Sequence, residues 1–226
     1  MALPESISAS AQDYAKAVYA LEAHEGAAVS TNDLAERLGV TPGSVSAMVR
    51  KLSDVGLVEH EPYHGVRLTA QGRRVALEVL RHHRLIELFL SEELGMSWDR
   101  VHAEAEVLEH VLSEDLEQMI AARLGDPTVD PHGDPIPTVE FGIDEPAARS
   151  LDELPLGASG RLVRVSDDPE MLRYLAGLGI ALGDRLEVVG RQPFGGPVFV
   201  RFGAQEHPIG GALARAMRIE TEESIG

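Results

Sequence analysis

The sequence predicts a mostly α chain with a small β domain: an N-terminal winged helix-turn-helix, a helical dimerisation domain and a C-terminal SH3-like β-barrel. Three observations predict it. The first 70 residues hold three stretches of helical periodicity, each opened by a capping residue and closed by a glycine, and then two short runs around a turn. Residues 71–124 hold two longer stretches whose apolar positions recur at helical spacing. From residue 160 onward the chain is a series of short apolar or alternating runs separated by glycines. At 226 residues, 44% hydrophobic and 25% charged, it has room for two or three small domains with proper cores.

Ser8 or Ser10 can cap a first helix that turns Tyr14, Ala17, Val18 and Leu21 to a core and stops at Gly26. Val29 is a short link to a cap at Ser30 or Thr31, and a second helix runs through Leu34, Ala35 and Leu38 to Gly39. Thr41 caps a third helix with Pro42 in its first turn and Val45, Met48, Val49 and Leu52 inward, closed near Gly56. Leu57–Glu61 and Val66–Thr69 read as a hairpin around Pro62-Tyr63-His64-Gly65. That order is a winged helix-turn-helix, whose third helix enters the major groove. Thr41, Pro42, Gly43, Ser44, Ser46 and Ala47 would face base edges and phosphates, Arg50 and Lys51 would contact phosphate, and His64 on the wing tip would reach phosphate or the minor groove.

A long helix is expected from Gln71 through Val75, Leu80, Leu85, Leu88 and Leu90 to Gly95. A second, capped near Ser97 or Asp99, is expected to continue to Leu124. The pair carries more apolar surface than it can hide, which predicts self-association. The stretch from Asp126 to Pro155 is rich in Pro, Asp and Gly and reads as a linker with little regular structure. Strands are expected at Gly160–Val165, Leu186–Val189, Val198–Phe202 and Met217–Ile219, with a helix at Pro169–Gly177. The expected domains are 1–74, 75–141 and 160–226, with 142–159 as linker.

The net charge of −17 would by itself argue against a nucleic-acid partner. Its distribution reverses that argument. Residues 1–74 carry 7 Lys/Arg against 9 Asp/Glu, whereas residues 75–226 carry 13 against 28, and Thr41–Ser53 holds Arg50 and Lys51 with no acid. Zero cysteines exclude disulfides, thiolate zinc sites and thiol nucleophiles, and fit a cytoplasmic protein. With no basic leader before an apolar stretch and no run of 18 apolar residues, neither secretion nor a membrane partner is expected.

Chemistry concentrates in RVHAEAEVLEHVLSE. At about 100° per residue, His102, Glu106, Glu109 and His110 would project from one side of a helix. Upstream, RHHRLIELFL puts His83 and Glu87 one turn apart. Two faces of mixed nitrogen and oxygen donors suit a divalent first-row metal. His24, His60, His132 and His207 read as surface or loop residues without metal roles.

The order winged helix, ligand helices, PHGDPIP segment and small barrel resembles the diphtheria-toxin-repressor family of iron- and manganese-dependent repressors over the whole chain. The resemblance implies a regulatory metal site at Asp13, Glu106, Glu109 and His110. It implies an ancillary site at His83, Glu87 and His102, completed by an oxygen from the barrel at Asp168, with Glu170 in reserve. Iron-responsive members carry a thioether and a thiol where this chain has Asp13 and Glu106, so the hard donors here imply Mn(II), with Fe(II), Co(II) or Zn(II) as ions such a site accepts in vitro. Short manganese regulators have a carboxylate where Lys16 stands, so their two-metal arrangement is not expected. The implied function is a Mn(II)-dependent homodimeric repressor that controls manganese homeostasis and binds double-stranded palindromic operator DNA. The alternatives are an Fe(II)- or Zn(II)-responsive repressor of the same fold, and a di-metal enzyme on a helical scaffold. Against the enzyme stand the lack of a third carboxylate–His motif and of a nucleophile beside the ligands.

Overall fold

The computed structural model describes residues 7–61 and 65–221. It begins with α1 (Ala9–Glu25), α2 (Thr31–Leu38) and α3 (Pro42–Asp54), followed by the antiparallel pair β1 (Val58–Glu61) and β2 (Gly65–Leu68). Then come α4 (Ala70–Glu92), α5 (Val101–Leu108) and α6 (Glu114–Arg123). The last part holds β3 (Arg149–Ser150), β4 (Ser159–Val165), α7 (Pro169–Gly177), β5 (Arg185–Arg191), β6 (Val198–Phe202), β7 (Gln205–Ile209), α8 (Gly211–Ala216) and β8 (Met217–Thr221). Two compact units result. One holds the described residues up to His83 with Glu106–Arg123 and Pro137–Gly142; the other holds Arg84–Ala105, Leu124–Ile136 and the described residues from Ile143.

In the first unit the caps work as the residue types require. Ser8, Ser30 and Thr41 each accept a hydrogen bond from the backbone N–H three residues on, which satisfies donors the helix cannot pair itself. Gly39 closes α2 at φ 64°, a conformation that costs a residue with a Cβ. Leu34, Val45, Val49, Leu52, Leu57 and Val66 are buried around α1. Val29 is more than a link: it exchanges two backbone hydrogen bonds with Val66, at 2.9 and 2.8 Å, and ties the wing to the helices.

The second unit contains a six-stranded antiparallel sheet in the order β3-β8-β4-β5-β6-β7. Register shifts between Leu162 and Arg164 and between Val188 and Gly190 break the pairing of β4 with β8 and of β5 with β6, and such bulges bend and curl a sheet. Leu162, Val165, Leu172, Leu175, Val188, Val200, Ile209, Met217 and Ile219 fill the interior. This is the SH3-like domain the glycine-punctuated runs predict. The expected strands are present, extended by a few residues, and β3, β7 and α8 are additional. β7 carries Pro208, which removes a backbone donor; it sits at the sheet edge, where that loss is tolerated.

Two expectations change. The helix expected to continue to Leu124 ends at Leu108, and a new helix begins at Glu114. Ser113 accepts from Leu116 N at 3.3 Å, and Glu114, Asp115 and Glu117 fill the next turn. A capping serine followed by acids is a helix start, and it outweighs the continuous periodicity. The Pro-rich stretch contains β3, a single 3-10 turn at Leu151–Glu153 and one isolated bridge, Val129 to Pro135; Asp130, His132 and Ile136 are buried, so its first part is a packed loop rather than a tether.

Candidate metal centre

Asp13 and Lys16 lie on α1, His83 on α4, Glu106 on α5, and Glu109 and His110 in the turn after it. The first unit brings all six together. Asp13 Oδ1 is 3.0 Å from His110 Nε2, which is 3.6 Å from Glu109 Oε1. His83 Nδ1 hydrogen-bonds Glu109 Oε2 and is 3.7 Å from Glu106 Oε1. Lys16 Nζ donates to Glu106 Oε1 at 2.7 Å and to Glu109 Oε1 at 2.6 Å. The Glu109 side chain is fully buried, whereas Asp13 and Glu106 are about two-fifths exposed, at 38% and 41%.

Asp13 Oδ1 is buried yet makes no hydrogen bond, despite its closeness to His110. Burial pushes the Asp13 carboxyl up, while His110 and Lys16 pull it down. Asp13, Glu109 and His110 each offer a donor atom within 4.8 Å of the others. Donor atoms neighbouring one another on an octahedral ion sit about 3 Å apart, so the spacing and the orphaned oxygen fit a divalent cation. His110 is aimed by a residue that the sequence reading missed. Its Nδ1 donates to Oε1 of the buried Gln12 at 2.6 Å, which leaves Nε2 facing Asp13.

The second unit gathers another set. Glu87 on α4 and His102 on α5 pair at 3.2 Å, and His102 Nδ1 is 3.4 Å from Asp167 Oδ2. Asp168, the expected barrel ligand, instead caps α7, accepting from Glu170 N and Met171 N; the acid that reaches His102 is its neighbour Asp167. His132, expected as a surface or loop residue, lies in a loop and is fully buried. Its Nε2 donates to Trp98 O at 2.7 Å; Nδ1 has no hydrogen-bond partner and is 3.8 Å from Glu87 Oε2. Glu87, Asp130 and His132 form a wholly buried donor trio. Burial, then Asp134 and Glu87, drive the Asp130 carboxyl well up. Arg84, whose Nε lies 3.7 Å from Asp130 Oδ2, is the counter-charge beside them.

The packed loop builds this corner. Asp130 Oδ1 accepts from the backbone of His132 and Asp134, an Asx-type turn. Gly133 adopts φ 86°, and a Cβ there would lie 1.9 Å from Val163 O. Any other residue would push the loop off β4, to which His132 O is bonded through Val165 N. The spacing Asp130-x-His132 in this turn was the available signal for both donors.

On α3, Thr41, Pro42, Gly43, Ser44, Ser46, Ala47, Arg50 and Lys51 are all exposed, while Val45, Val49 and Leu52 are buried. The expected DNA-facing residues therefore share the outer side of the helix. His64 lies outside the described residues. His60 is exposed and His207 half-buried against Phe202.

Residues 6–66 match a family model described as the iron dependent repressor N-terminal DNA binding domain. Residues 69–138 match the iron dependent repressor metal binding and dimerisation domain, and residues 149–221 a FeoA domain. The chain is 34% identical over 220 residues to the iron-dependent repressor IdeR of Mycobacterium tuberculosis, covering 92% of this chain and 95% of that protein. A solved manganese-dependent transcriptional repressor in complex with manganese superposes with a TM-score of 0.88 at 44% identity, covering 94% of this chain and all of that one. ScaR solved with bound Cd2+ is similar at a TM-score of 0.81 and 29% identity, covering 94% and 99%.

Proposed function

The chain belongs to the diphtheria-toxin-repressor family of metal-dependent transcriptional repressors, and from that premise we propose that it is a Mn(II)-dependent homodimeric repressor of manganese homeostasis. Its relatives are repressors, and it is not an enzyme. The proposed regulatory ligands are Asp13, Glu106, Glu109 and His110. A bound Mn(II) would supply the positive charge that lets three carboxylates share one site. The proposed ancillary site uses Glu87, His102 and Asp167, with His132 and Asp130 as further donors around the same Glu87 carboxylate. Asp167 takes the role expected of Asp168.

The observation that carries this reading is the position of Asp13. It lies on α1, within the segment that matches the DNA-binding model, and it meets His110 from the segment that matches the dimerisation model. An ion held by both restrains the first segment against the second and shifts the population toward a DNA-competent arrangement. Manganese is favoured by the donor set, all oxygen and imidazole nitrogen with no sulfur, and by likeness to a repressor solved with manganese. Iron is the second reading, because IdeR is an iron-dependent repressor. Cytoplasmic operation on a palindromic operator follows from this function; no helix among the described residues is long and apolar enough to cross a membrane.

The test is binding to the promoter of the source organism's manganese transporter, titrated separately with Mn(II), Fe(II) and Zn(II) without oxygen. Mn(II) should induce binding at the lowest fraction of its intracellular availability. Asp13→Ala should remain a folded dimer and lose metal-induced binding by about 100-fold or more. A variant that still represses fully with Mn(II) sinks the coupling role of Asp13, and a response to Fe(II) alone transfers the function to the iron reading.

A further inference from the structure

A cavity of about 340 Å³ opens beside α3, between α1, the C-terminal half of α3 and the start of α4. Ala11, Met48, Leu52 and Leu57 give it an apolar wall, and Val55 stands at its rim, 60% exposed. Its frame is fixed from the α4 side. Leu57 O accepts from Thr69 N at 3.0 Å, Gly56 O accepts from Thr69 Oγ1 at 2.7 Å, and a Cβ on Gly72 would lie 1.9 Å from Leu57 O. Backbone already meets backbone there, so α4 cannot move in to close the space, and from within α1 only the methyl of Ala11 lines it. The charge of the cavity is unlike that of the chain. No carboxylate lines it, although the chain has 37 Asp and Glu against 20 Lys and Arg. Two other cavities, one beside Trp98 and one beside Phe202, have Glu92 and Asp130 in the first and Asp184 in the second. Here the charged residue is Lys51, which makes no ion pair among the described residues. Sites for small molecules join a mostly apolar lining to a few polar groups and span roughly 300–1,000 Å³, so this one takes a ligand at the small end. An apolar wall beside a lone ammonium suits a hydrocarbon that ends in an anion.

We propose that this cavity binds a small amphipathic carboxylate, with its hydrocarbon against Met48, Leu52 and Leu57 and its carboxylate on Lys51, and that the bound acid weakens operator binding. The second half rests on the reading of Lys51 as a phosphate contact. An ammonium paired with a ligand carboxylate no longer neutralises a phosphate, so the affinity it contributed and its share of the salt dependence are lost together. The acid therefore relieves repression through α3, with the metal centre still loaded.

The experiment uses the full-length chain and octanoate as probe, with acetate at equal concentration to control for ionic strength and chelation. In amide NMR spectra of the metal-free protein, octanoate should shift the signals of Ala11, Leu52 and Leu57 saturably, and acetate should not. 1-Octanol, which lacks the charge, should bind about threefold weaker or more. Val55→Trp fills the rim; it should lose the octanoate shifts and keep Mn(II)-induced operator binding. Should Val55→Trp not fold, Ala11→Leu fills the same space from α1 and carries the same comparison. In operator binding with Mn(II), saturating octanoate should weaken the wild type by about threefold or more and flatten its salt dependence by about one phosphate, and it should leave Val55→Trp unchanged. Octanoate shifts that do not saturate at the cavity and spread to the exposed Val107 and Val111 mean adventitious, detergent-like binding only, and overturn the proposal. Saturable shifts at the cavity with operator binding unchanged overturn its regulatory half. Lys51→Met is measured in parallel without octanoate: if its operator affinity and salt dependence match wild type, the phosphate reading of Lys51 fails, independently of the cavity.

Discussion

Gln12 decides which nitrogen of His110 faces the acids. An amide oxygen can only accept, so Nδ1 carries a proton, and in the neutral imidazole that a metal takes as ligand Nε2 holds the lone pair. Partners of this kind fix the tautomer and ring orientation of a ligand, and losing one typically costs 10–100-fold in metal affinity. Gln12→Ala should therefore lower Mn(II) affinity by about that factor while the protein keeps its fold, and Gln12→Glu, which still offers an oxygen, should recover most of it. Unchanged affinity in Gln12→Ala would show that His110 is oriented by the backbone turn alone. Individual residues also set the limit of what the sequence disclosed. Glu106, Glu109 and His110 were legible because their short spacing keeps them together whether the segment is a helix or a turn. That Asp167 rather than Asp168 reaches His102 was not legible, since the two are equivalent as letters and only the capping bonds of Asp168 to Glu170 N and Met171 N distinguish them. His132 was misread because nothing local says that a loop histidine will be covered; Trp98, 34 residues away, supplies its partner.

At the scale of elements, the turn between α5 and α6 holds the proposed ligands Glu109 and His110, and α4 holds the turn. His82 donates from Nδ1 to Glu109 O at 3.1 Å and pairs through Nε2 with Glu117 on α6 at 3.2 Å, while Arg81 pairs with Glu117 and with Pro137 O. Burial pushes the Glu117 carboxyl up, but hydrogen bonds from His82 and Arg81 outweigh it and hold it below its ordinary 4.5. Burial pulls His82 down, and Glu117 outweighs that and raises it above 6.5. The signs define a window. A lowered acid stabilises above its unfolded value and loses that contribution as pH falls through the folded one. A raised histidine contributes fully below its unfolded value and loses it as pH rises through the folded one. Glu117→Gln should then cost metal-free stability by about 2 kcal/mol, most between pH 4.5 and 6.5, with the gap to wild type shrinking on either side. Melting curves over pH in chelator check this; a gap independent of pH would assign the loss to packing. The caps and glycine stops of α1, α2 and α3 were legible because each is a local device. The break at Ser113 was readable too, from the serine and the acids after it, but periodicity across it concealed the signal.

At the scale of the whole molecule, the apolar periodicity of the ligand segment is buried at its start, at Val101 and Ala105, and turns outward from Val107 on. Val107, Val111 and Met119 are 70%, 76% and 68% exposed, and Leu108 and Leu116 are 40% and 48% exposed. Scattered apolar residues are ordinary on a surface, but five within 13 positions form a patch that water disfavours. The segment matches a dimerisation model, and a two-fold pairing uses the same patch on both copies. This placement also explains why the proposed ligands and the patch alternate along one stretch of chain, with Glu106 before Val107 and His110 before Val111. A dimer matters for DNA because two α3 helices presented together read two half-sites, whereas one alone must overcome the acidity of the remaining chain with Arg50 and Lys51. Val111→Glu puts a charge at the patch without touching a proposed ligand. It should leave Mn(II) affinity within about threefold of wild type, convert the protein to a monomer in sedimentation, and weaken operator binding by tenfold or more. A Val111→Glu protein that stays dimeric would locate the pairing surface elsewhere. A monomer that binds the operator as tightly as wild type would show that one copy suffices and that the patch serves another purpose.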